Sequence, residues 1–150
     1  MEKFMLNQLV ADFNSDNEEK KKNAETEFLD LGKRWLNGCK KTAKLFGNIN
    51  WMGKTFVENN GKLKNVLVAN QEHVVFYGTY KDVDYDTGHR DASCVQYISL
   101  KMEHFYDNAP ELFKESCRLA AIMKLESSIK EYKRQIADAE KQIEKIKKIK

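Results

Sequence analysis

Residues 111–150 contain neither glycine nor proline, and apolar residues recur along them at alternating steps of three and four. The series is Ile122, Leu125, Ile129, Tyr132, Ile136, Ala139, Ile143 and Ile146. That spacing lines one side of an α-helix, and four unbroken heptads meet the sequence criterion for a coiled coil. About 40 residues run as one helix about 60 Å long. Helices in proteins owe most of their stability to a packed face, so this one is expected to have a helical neighbour. The neighbour is a second copy, a different protein, or the chain's own residues 16–46. All four residues of one seam class are Ile, which favours parallel dimers, while Tyr132 and Ala139 make the seam irregular. One flank carries Glu126, Lys133, Glu140 and Lys147, and the other Ser128, Gln135 and Gln142.

The remainder reads as an α+β body. Phe4, Met5, Leu6, Leu9, Val10 and Phe13 predict a short helix over 3–13, apolar over much of its circumference and therefore covered. Ser15 or Asp16 is a natural N-cap for a second helix over 16–46. Its apolar positions are Ala24, Phe28, Leu31, Trp35, Cys39, Ala43 and Phe46, and Gly47 suits the left-handed residue after it. Gly32 permits close packing or a bend.

From residue 54 the apolar period changes to two, predicting a four-stranded antiparallel meander over 54–102. The strands are Lys54–Val57, Lys62–Ala69, His73–Lys81 and Ser93–Met102, with Asn59-Asn60-Gly61 as the first hairpin turn. Pro110 stands where the long helix begins, with Asp107 or Asn108 as its cap. At 150 residues the chain reads as one domain, a body over 1–110 and a helix over 111–150 that either belongs to it or projects.

Net charge is +3 and uneven: +1 over residues 1–46, −2 over 47–110 and +4 over 111–150. Of the basic residues 22 are Lys and only four Arg, a balance poorly suited to base and phosphate recognition by guanidinium forks. With twelve Asn it also matches the codon bias of AT-rich genomes, as in phages and low-GC bacteria. Cys39, Cys94 and Cys117 are far apart, and none forms a C-x-x-C pair, so they read as small buried hydrophobes. No signal peptide or membrane span is legible, and the expected location is cytoplasmic.

Three motif-like stretches fail on their chemistry. Gly53-Lys54-Thr55 lacks the glycine that a phosphate loop needs five places before Gly53, where Asn48 stands. His89-Arg90-Asp91 lacks the Asn that a kinase catalytic loop needs five residues on, where Gln96 stands. Asp82-x-Asp84-x-Asp86 lacks the Gly and Glu of an EF-hand, and Thr87 and Ser93 occupy those places. No catalytic set, metal site or cofactor is expected, the alternative for the 82–91 loop being a non-EF calcium or magnesium site rather than a polar turn.

One sheet face carries candidate ligand groups. Val75, Tyr77, Thr79 and Lys81 share a side of one strand, and Val95, Tyr97, Ser99 and Lys101 a side of the next. If the sides coincide, Tyr77 and Tyr97 offer stacking surfaces and Lys81, Lys101 and Arg90 positive charge for a nucleotide or single-stranded nucleic acid. The leading expectation is a non-enzymatic, oligomer-forming adaptor with a protein partner, such as a small phage or mobile-element accessory or inhibitor protein. A nucleotide- or nucleic-acid-sequestering module is the alternative, and a small hydrolase or transferase a further one.

Overall fold

The computed structural model describes residues 1–47 and 49–149; Asn48, and Lys150 at the end of the expected 111–150 helix, lie outside the described residues. Chain order is α1 (Lys3–Phe13), α2 (Glu18–Lys44), α3 (Lys54–Glu58), β1 (Lys62–Ala69), β2 (His73–Asp82), β3 (Ala92–Lys101), a 3-10 turn (Met102–Phe105) and α4 (Ala109–Lys147). The class is α+β, with helices on one face of a three-stranded antiparallel sheet ordered β1-β2-β3.

The expected first strand is a helix. Phe56 and Val57 are adjacent and both buried, whereas a strand sends neighbours to opposite faces. Gly53, at φ +87°, opens the turn, and the Val57 N–H reaches its carbonyl at 2.9 Å. Asn59-Asn60-Gly61 is therefore a helix end rather than a hairpin. Asn60 takes φ +55°, and the Gly61 N–H donates back to the Phe56 carbonyl at 2.8 Å, closing the helix as a left-handed cap does.

The start of α2 is also displaced. Asn17, not Ser15 or Asp16, caps it, accepting from the N–H groups of Glu19 and Lys20 at 3.1 and 3.2 Å. Ser15 instead accepts from Asn17 N–H. α2 stops at Lys44, short of Phe46, and Gly47 does adopt a positive φ, +85°.

α2 carries two apolar stripes. Phe28, Gly32 and Leu36 are buried in the core, with Gly32 against the sheet, while Trp35 and Cys39 turn toward α4. A Cβ on Gly32 would lie 2.8 Å from the Phe76 ring, so the missing side chain lets the helix settle onto the sheet. Phe76, Val74, Ile98 and Leu100 supply the sheet's side of the core; Leu6, Leu9 and Phe13 of α1 close it. α1 is covered along one stripe only, and Phe4 and Met5 stay exposed, contrary to the expectation that its whole apolar surface is buried.

Candidate functional site

Two surfaces remain open once the core is closed. The first belongs to α4, whose two ends have opposite surroundings. Asn108 stands at its N-cap without a side-chain cap bond, and Pro110 lies in the first turn. Trp35 of α2 stacks on His104 at 4.7 Å and 11° and meets Phe113 edge-on at 5.6 Å. His104 is fixed there because its Nδ1 accepts the Lys101 N–H at 3.2 Å. Burial holds the His104 pKa below the ordinary histidine range, with nearby Lys101 acting the same way and Glu103 opposing. Four residues further along each helix, Cys39 and Cys117 are both buried neighbours. Burial, with a smaller contribution from Cys117, pushes the Cys39 thiol up to about 12. Both pairs are in step, so α2 and the start of α4 run in the same direction.

Beyond Ala121 the helix leaves the body. The seven large seam residues from Ile122 to Ile146 are 40–65% exposed, and Ala139 is exposed as well. The chain's own residues 16–46 do not cover them. Phe113, which faces α2, and Ile122, which begins the stripe, are nine residues apart; at about 100° per residue that is half a turn. Cys117 and Leu125, eight residues apart, are separated by about 80°, so base and stripe use different sides of one helix.

The arm's other side is laced with ion pairs. Arg134 meets Glu131 at 2.6 Å and Asp138 at 3.0 Å, and Lys147 meets Glu144 at 3.7 Å. The Arg134 hydrogen bond holds the Glu131 carboxyl below its ordinary pKa. Such helix-surface pairs contribute only about 0.2–0.5 kcal/mol each.

The second surface is the open face of the sheet. Tyr77 and Tyr97 stand directly opposite in the β2–β3 register, edge to face at 5.9 Å, so the two predicted sides coincide. Val75, Thr79, Val95 and Ser99 surround them. The cations do not converge there. Lys101 lies opposite His73 at one end of the ladder and Lys81 opposite Ser93 at the other. The Lys81 ammonium donates to the Ser93 hydroxyl at 2.6 Å, and Arg90 reaches out of the 82–91 loop to the Asn59 side chain. In that loop Asp82 and Asp84 accept backbone N–H groups from Val83 and Asp86 at 2.7 and 2.9 Å, the chemistry of a self-capped turn.

A groove of about 610 Å³ between α2 and the α3–β1 junction was not legible in the sequence. Leu29, Leu36 and Leu63 are among its walls, with Lys33, Lys40 and Lys62 also lining it. Among the described residues no group of three or more His, Cys, Asp or Glu is placed to hold a metal ion, and no helix is long and apolar enough to cross a membrane. Comparison with protein-family models, with curated proteins and with solved structures gives no match to this chain.

Proposed function

We propose that this chain is a non-enzymatic adaptor that assembles with copies of itself through the α4 arm, as a coiled coil, and presents its body to a protein target. One observation carries the reading: eight apolar residues in heptad spacing face water on a rod whose base is anchored to the body through a different side. Water next to that many large apolar groups is costly, at roughly 25 cal/mol per Å² left uncovered, and weak ion pairs on the far side do not compensate. A second helix along the stripe removes the cost. A phage or mobile-element accessory protein that inhibits a host protein fits the size and composition.

The test is the mass of the full chain by light scattering, alone and as the Ile129→Asp, Ile136→Asp double variant. The parent should be oligomeric and the variant monomeric, with unchanged tryptophan fluorescence because Trp35 and Trp51 both lie in the body. A monomeric parent at tens of micromolar ends the proposal.

A second reading draws on the cross-strand tyrosine pair. Tyr77 and Tyr97 offer aromatic surface on an otherwise small-residue face, as stacking modules for single-stranded nucleic acid do. Lys81 and Lys101, at opposite ends, suit an extended polyanion better than a mononucleotide. Binding of fluorescent oligonucleotides that is steeply salt-dependent, and lost in Tyr77→Ala, Tyr97→Ala, would support it. Absence of binding by the parent disposes of it.

A further inference from the structure

We infer that two copies join their arms antiparallel, in the register that sets Ile122 against the partner's Ile146. The inference rests on the assembly reading above and adds the occupant's orientation.

The argument starts from which residues would share a layer. In a parallel pair each seam residue meets its own counterpart. Tyr132 then meets a second tyrosine and Ala139 a second alanine, with only the Ile136 layer between. One layer is overfilled and the other nearly empty. Interiors are packed to near-crystalline density, and both faults destabilise them.

Reversing one helix exchanges the two seam classes. Every residue of the first class, Ile122, Ile129, Ile136 and Ile143, then faces one of the second. The layers become Ile122 with the partner's Ile146, Leu125 with the partner's Ile143, Ile129 with the partner's Ala139, and Tyr132 with the partner's Ile136. Each layer holds at least one isoleucine, the smallest residue gains a branched neighbour, and the bulkiest gives up its duplicate. The sequence of the stripe is complementary to its own reverse.

The body permits this arrangement, and the flanks oppose it only weakly. Reversal sets Glu126 beside the partner's Glu140 and Lys133 beside its own counterpart, like-signed pairs at the exposed rim that salt screens, and the Ser128, Gln135, Gln142 flank against its amide counterpart. The body packs on the side opposite the start of the stripe, so a partner can lie along the arm without displacing it. The two bodies then sit at opposite ends, with the two Cys117 positions about 50 Å apart along the rod.

Disulfide trapping decides the orientation. In a Cys94→Ser background, which leaves only the buried Cys39 and Cys117, full-length Ile122→Cys and Ile146→Cys copies are co-expressed and mildly oxidised. The expected result is a covalent dimer from the mixture and none from either variant alone, since like positions lie about 36 Å apart in this register. A spin label at Gln142→Cys should report a separation of about 24 Å along the rod. Self-cross-linking of Ile122→Cys, or adjacent Gln142 labels, overturns the orientation while leaving arm-mediated assembly intact. A trimeric or larger mass overturns it too. A monomeric mass with no cross-link removes both this inference and the assembly it rests on.

Discussion

The first turns of α4 and its later turns contain similar residues in opposite surroundings. Phe113 and Cys117 lie against Trp35 and Cys39, the first half-buried and the second buried. Ile129, Ile136 and Ile143 have the same periodicity and are half exposed or more. The difference is one of phase. The apolar face moves round the helix between residues 117 and 122, from the side that meets α2 to the side that meets nothing of its own. Apolar spacing alone does not say what covers a stripe; the phase between two stripes on one helix says that they have different partners.

Four measurements can break or sharpen that contrast. The largest effect belongs to the body: Phe28 is fully buried and meets Phe13 edge-on at 6.4 Å. Phe28→Ala should cost about 3–5 kcal/mol in denaturant unfolding, and a cost near zero would mean that the core is not the stable part of the molecule. Next comes the stripe. Ile136→Asp alone should weaken association by at least about 3 kcal/mol, more than a hundredfold in dissociation constant by analytical ultracentrifugation, with the body's unfolding midpoint unchanged when monomeric. Third is the fit of α2 on the sheet. Gly32→Ala forces a methyl group onto the Phe76 ring and should cost about 1–3 kcal/mol, read by the same denaturation.

The smallest effect concerns the clamp at the base of α4. The folded His104 pKa lies below its ordinary value of 6.5, so between the two values the unfolded chain binds more protons than the folded one. Stability from this group is complete above pH 6.5 and is lost as the pH falls from there to the depressed folded value. Thermal melts of the parent between pH 7.5 and 5 should show this decline, and His104→Gln should flatten it. An identical slope in both proteins would assign it to other groups.

Much of the architecture was legible in the residues. The α+β class, β1 to the residue, β2 and β3 to within one, and the course of α1, α2 and α4 follow from apolar periodicity. Lys54–Val57 is ambiguous in sequence because four residues cannot separate a period of two from 3.6; adjacent Phe56 and Val57 are the discriminating sign. The cap of α2 is ambiguous because Ser15, Asp16 and Asn17 are all cap formers in a row. The coincidence of the Tyr77 and Tyr97 faces depends on a loop-set register, and the clamp of Trp35, His104 and Phe113 joins residues up to 78 positions apart, which no local pattern encodes. The dispersal of Lys81, Lys101 and Arg90 is likewise a tertiary fact.

The clamp at the base of α4 has a mechanical corollary. With Trp35 gripping both the approach to α4 and its first turns, and no glycine or proline from Glu111 to Lys147, the arm behaves as a lever. Pivoting by a tenth of a radian at Phe113 sweeps Lys147 through about 5 Å. The angular setting is just as tightly geared: one alanine inserted after Ala121 would turn the stripe by about 100° relative to the body without altering either, and an insertion of about seven or about eleven residues would bring it nearly back.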